Sequence, residues 1–256
     1  GWTETLWKAE NDSYIKISKP SSISKIKKSF CNIATRSALD IYDASSLKIE
    51  EGDAAVAAFT LDDNCVLSLS NIFNINVKAN IIKSTKSKIS LGNIDTITST
   101  DGKIFETTNS ALALNSVDKF SSKTPSEFTD TKVLLTNFTE FSSNEDIFKG
   151  CGLNLTVIGN GSSVLTSKNG SVLNTSSCNT TNKVVFEKIK DIISENSTAI
   201  TLNNTSLSLN YITKIESGAS GYAIKAVKSI ITSKYCTQIT GGGDDAILLG
   251  NESVLS

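Results

Sequence analysis

The sequence has no histidine, no methionine and a single arginine, Arg36, among 256 residues. Without histidine, a Ser–His or Cys–His triad, a His-bearing zinc site and a histidine pH switch are all excluded. Lys and Arg together number 25 against 26 Asp and Glu, a net charge of −1. That balance supplies no basic face for a phosphate backbone, so nucleic acid is not expected as a partner. No apolar run approaches the roughly 20 residues of a membrane helix, and membrane insertion is not expected. Aromatic residues make up only 7%, which leaves Ile, Leu, Val and Ala to build the core. Cys31, Cys65, Cys151, Cys178 and Cys236 are odd in number, widely spaced and free of any CxxC pair. They fit neither a disulfide framework nor a metal knuckle and read as small buried thiols. No cofactor is expected.

What is abundant is small and polar: Ser, Thr and Asn account for 88 residues. They are threaded through a repeat. From about residue 38 the chain reiterates an apolar template, L-x-L-x-x-I-x-x-I, at offsets of about 20–24 residues with one step of about thirty before Val184. Leu67, Leu69, Ile72 and Ile75 fit it, as do Ile89, Leu91, Ile94 and Ile97, and Val184, Phe186, Ile189 and Ile192. Further copies begin at Leu112, Val133 and Leu207. Weaker ones are Leu47 with Ile49, Leu153 with Leu155 and Ile158, and Ile231 with Cys236 and Ile239. A second apolar pair precedes most copies, as in Ile81-Ile82, Ile104-Phe105, Ile147-Phe148 and Ala223-Ile224.

The apolar segments are two to five residues long, rich in β-branched residues and separated by polar bends, which favours strands over helices. Three short strands per turn, stacked turn on turn, predict an all-β fold: a single-stranded parallel β-helix of about ten turns. The handedness of parallel crossovers predicts a right-handed coil. Two columns support it. Asn71, Asn93 and Asn137 occupy one position after the L-x-L strand, with Asn115 and Asn210 one residue earlier. Asn tolerates the left-handed conformation of a sharp bend and can form a hydrogen-bonded ladder. Two residues before the first Leu runs a small-residue column: Ser45, Cys65, Ser87, Ser110, Thr131, Cys151, Thr205 and Ser229. Residues 1–37 fall outside the repeat and are expected to be a cap or a joint to an upstream domain, with the β-helix over 38–256. The opening Gly1 and the fresh turn starting at Ala246-Ile247 read as an excised fragment cut in mid-turn.

These turns resemble the right-handed β-helices of phage tail fibres and tailspikes, autotransporter passengers and pectin-degrading enzymes over residues 38–256. The resemblance implies a structural or adhesive segment of a phage tail fibre or tailspike that supports recognition of host surface polysaccharide. It implies a homotrimer, other tail or surface structural proteins as partners, and a virion location. The alternative is a bacterial surface or secreted adhesin of the autotransporter kind, and a third reading is a polysaccharide depolymerase or lyase. For the enzyme reading the candidate pair is Asp244 and Asp245, in a Gly-Gly-Gly-Asp-Asp string similar to the Gly-Asp-Asp motif of polygalacturonases. The His-Gly and Arg-x-Lys elements of that family have no counterpart here, and an ordinary bend also accounts for the pair. Asp62-Asp63-Asn64 reads as a solvated turn that could hold calcium. Lys25, Lys27 and Lys28 form a small basic patch.

Overall fold

The computed structural model describes residues 5–27, 29–50, 56–176, 179–218, 220–243 and 245–256. The chain coils into a parallel β-solenoid of about ten turns, without a helix among the described residues. A typical turn holds one short strand and one long one, such as Ile82–Thr85 followed by Lys88–Ser99. The short strands stack into an 11-stranded sheet and the long ones into a 13-stranded sheet among the described residues. Each long strand bends in its middle, so a turn has three sides although two of its three expected strands are continuous. A single left-handed residue makes this bend and leaves the ladder in register on both sides. Leu114 pairs with Leu91 before the corner and Val117 with Ile94 after it.

Side-chain alternation then decides what is buried. Leu67, Leu69, Ile72, Ile75 and Val77 point inward from the strand Val66–Val77, and Ile82 joins them from the next short strand. The copies from Leu39 to Leu207 fill the first inward slots in the same way, whereas the slot of Val77 passes to Ser99 and Ser122 in the next turns. Each fully buried Leu, Ile or Phe contributes about 1.5–3 kcal/mol, and it packs mainly on the turns directly above and below. In the middle turns the aliphatic stack becomes aromatic. Phe120 and Phe141 stack with centroids 4.6 Å apart, and Phe148 meets Phe141 edge-on at 5.3 Å. Phe105 and Phe148 flank Ser126 in the short-strand sheet, and the Ser126 hydroxyl is buried with no hydrogen-bond partner. Removing an orphaned buried hydroxyl relieves its desolvation penalty, so Ser126→Ala is expected to raise stability by about 1 kcal/mol in urea unfolding. A loss would mean that the hydroxyl has a partner in solution.

The small-residue column lines the corner between the short strand and the long one. The N–H of one turn donates there to the side-chain oxygen of the next. Cys65 N donates to Ser87 Oγ (3.2 Å), Ser87 N to Ser110 Oγ (3.2 Å) and Thr205 N to Ser229 Oγ (3.1 Å). The corner leaves these amides without a strand partner, and a buried hydroxyl satisfies them. Two members of the expected column lie elsewhere. Ser45 is exposed; the matching residue is Ser37, whose Oγ accepts from Ser13 N, because the first full copy of the template is Leu39, Ile41, Ala44 and Leu47. Cys151 ends the short strand Phe148–Cys151 half-buried, and Leu153 takes the inward slot before Leu155 and Val157. Nor is Cys151 a free thiol: it is disulfide-bonded. Its Sγ also lies 3.0 Å from Thr180 Oγ1, in the enlarged corner that accounts for the long step before Val184. Cys178 lies outside the described residues.

Cys31 and Cys65 are buried free thiols as expected, and Cys236 is a half-buried one. Burial pushes the Cys31 thiol up from 9.0 to about 12. Only the thiolate is nucleophilic, so native Cys31 is expected to resist alkylation at neutral pH and to label fully once denatured, as read by peptide mass spectrometry. The linkage has a definite sign. The folded-state pKa is raised, so the contribution of Cys31 is present below about pH 9 and is lost as pH climbs toward 12.

The boundary expected at residue 38 moves toward the N-terminus. Thr5–Ala9 pairs with Ser29–Ile33, Tyr14–Ser18 with the strand Ala38–Ile49, and Ile23–Ile26 with the far end of that same strand. Residues 5–27 and 29–33 thus already coil with the solenoid. Pro20, after the left-handed Lys19, hides the template by splitting the long strand in two.

Candidate functional site

The enzyme-like string lies on the corner before the short strand Ile247–Leu249. Asp244 is outside the described residues. Asp245 is exposed, and its carbonyl passes so close to Gly241 that a Cβ there would sit 2.4 Å away. The adjoining shallow groove is lined by Glu195, Glu216, Ser217, Thr240 and Gly241, not by Asp245. Lys214 neutralises Glu216 at 2.6 Å, and the contact raises the lysine's pKa. Among the described residues no group of three or more Cys, Asp or Glu side chains converges as a metal site would require.

The other charged candidates are corner furniture. In Asp62-Asp63-Asn64, the last two residues are left-handed, at φ 59° and 62°, and the Asp63 carbonyl accepts from Arg36 N. Arg36 itself forks onto Asp12 at 2.8 and 2.9 Å, which lowers the Asp12 pKa. The lone arginine therefore ties one turn to the next. Lys27 is exposed, Lys25 lies in the strand Ile23–Ile26, and Lys28 is outside the described residues.

At the mid-strand corner, one column of left-handed residues follows the rod, broken at one turn: Lys19, Asp43, Asn71, Asn93, Ser116, Asn137, Lys188, Tyr211 and Tyr235. Asn71, Asn93 and Asn137 stand at the bend itself, with φ 52–53°. Asn115 and Asn210 precede it by one residue, at an ordinary φ. The ladder is real but interrupted. Asn93 Nδ2 donates to Asn71 Oδ1 (3.1 Å) and Asn71 Nδ2 to Asp43 Oδ1 (3.0 Å), whereas Asn137 reaches Asn115 Oδ1 at 3.4 Å. Between Asn137 and Lys188 the corner bulges through Asn160-Gly161-Ser162, with Gly161 at φ 88°.

Beyond that corner, the outward side of the long strands carries a row of small polar groups one turn apart: Asn76, Thr98, Ser121, Ser142 and Thr166. Ser121, Ser142 and Thr166 line a shallow groove with Asn144, Lys168 and Glu195. Such a surface offers hydrogen bonds at the ~4.8 Å spacing of the turns. The tyrosines of the corner column, which the repeat pattern left unassigned, are solvent-facing: Tyr211 is 51% and Tyr235 64% exposed, whereas Tyr222 is half-buried. The signal that locates them is the one-residue offset of Asn210 from the other corner asparagines, which puts Tyr211 at the bend.

Among the described residues no helix is long and apolar enough to cross a membrane. No protein-family model, curated protein or solved structure matches the chain significantly. The fold is a scaffold, and a solenoid alone selects no function.

Proposed function

We propose that the chain is a non-enzymatic, elongated segment of a phage tail fibre or tailspike, a stiff spacer that presents a shallow polar surface to host polysaccharide. The observation that carries this reading is the row Asn76, Thr98, Ser121, Ser142 and Thr166 on one side of the solenoid. About ten turns at ~4.8 Å give a core roughly 50 Å long. Hydroxyls and amides repeated at that interval suit a chain of sugars lying along the axis, each making weak contacts. Assembly as a homotrimer would multiply such contacts through avidity.

A second reading, an exported bacterial adhesin, is favoured by the disulfide at Cys151, because disulfides persist in oxidising compartments. Sedimentation velocity at micromolar concentration separates the two. The fibre reading expects an elongated trimer; a stable monomer, unchanged on dilution, would overturn it and leave the adhesin passenger.

A further inference from the structure

We infer that Tyr211 and Tyr235 form an aromatic platform for a pyranose ring, a glycan subsite at the mid-strand corner. The inference rests on the glycan-recognition reading and gives it a place. The two rings stack across neighbouring turns, centroids 4.8 Å apart and inclined by 22°, with Lys234 Nζ 5.4 Å from the centre of the Tyr235 ring. Neither side chain packs in the core; both project from the corner into solvent.

Their backbone makes the placement informative. Tyr211 and Tyr235 sit at φ 57° and 58°, a conformation that suits Gly or Asn and is unusual for a bulky side chain. Elsewhere in the same column the corner is made by Asp43, Asn71, Asn93 and Asn137, which turn it more easily, and by Lys19, Ser116 and Lys188; no other aromatic residue among the described residues of the column stands there. An aromatic ring held at a left-handed corner is the kind of outlier that points to function.

The surroundings select the ligand. The residues next to each ring along the chain can hydrogen-bond: half-buried Asn210 and exposed Thr213 around Tyr211, exposed Lys234 and Thr237 around Tyr235. Two rings are far too small for a protein interface, which takes about 800 Å² from each partner. An apolar ring face edged by donors and acceptors instead matches a pyranose, whose C–H face stacks while its hydroxyls bond at the rim.

The test is an array of bacterial capsular and lipopolysaccharide oligosaccharides, followed by calorimetric titration of the best ligand. The proteins are wild type, the Tyr211→Asn/Tyr235→Asn double variant and Tyr235→Trp. Asn fits the bend, so the double variant is expected to melt at or above the wild-type temperature while losing at least about tenfold in affinity. Tyr235→Trp should keep binding. If wild type binds and the double variant binds equally well, the platform is refuted and the adhesive reading stands. If the wild type binds no glycan on the array, both are refuted.

Discussion

Phe141→Ala is expected to lower the stability of the middle turns by about 4 kcal/mol, the range for a buried Phe truncated where the cavity cannot collapse. Phe141 is fully buried, stacked on Phe120 and touched edge-on by Phe148. Its neighbours above and below are fixed by the ladders joining Glu140–Ser143 to Ala111–Ser122 and to Asn154–Ser167, so the gap stays open. Because a solenoid is stabilised by nearest-neighbour contacts, the loss should be local. Hydrogen exchange should speed up in those three strands first and leave Thr205–Glu216 little changed. Phe73→Ala provides the contrast. That side chain is 66% exposed, and its removal should fall within about 0.5 kcal/mol of wild type. Equal effects at the two positions would mean that the aromatic stack does not hold these turns together.

Asn93→Val is expected to cost about 2 kcal/mol, although the residue is exposed. At φ 52° an ordinary L-residue is strained by roughly 1–2 kcal/mol, and a β-branched one sits at the upper end. The lost hydrogen bond to Asn71 Oδ1 is solvent-exposed and adds only about 0.5 kcal/mol. Asn93→Gly loses the same bond but frees the backbone, so it should lie within about 0.5 kcal/mol of wild type. Urea unfolding of the pair separates the two contributions. If Val and Gly were equally destabilising, the amide ladder rather than the bend would be what Asn93 supplies.

These two sites mark how far the sequence could be read. The template residues Leu67, Leu69, Ile72 and Ile75, and their equivalents down to Ile215, face inward as the alternation requires. The core was legible because a one-residue slip would send every apolar side chain to solvent. The corner asparagines were legible because few residues accept a positive φ. Misreadings cluster where spacing changes. Ala44 is a small stand-in for Ile, so the repeat pattern first shows at Leu47, eight residues after the true copy at Leu39, and puts Ser45 in the place that Ser37 holds. The Asn160-Gly161-Ser162 bulge hides that the inward residue after this corner is Ser163, paired with Ile189, and not Ile158. Pro20 concealed the first turn. The disulfide at Cys151 was invisible because spacing along the chain does not report proximity across turns. The tyrosine platform was obscured for another reason. Tyr211 and Tyr235 are poor residues for their backbone, and a pattern built from good fits passes over them.

The proposed binding of polysaccharide without cleavage has one direct measurement. The purified chain is incubated with capsular polysaccharide from a panel of bacteria, and the mixture is resolved by size-exclusion chromatography with light scattering. With at least one polysaccharide the protein is expected to co-elute while the polymer keeps its mass, however long the incubation. A polymer that shortens with time would contradict it and restore the depolymerase reading; no co-elution with any polysaccharide would contradict glycan recognition itself.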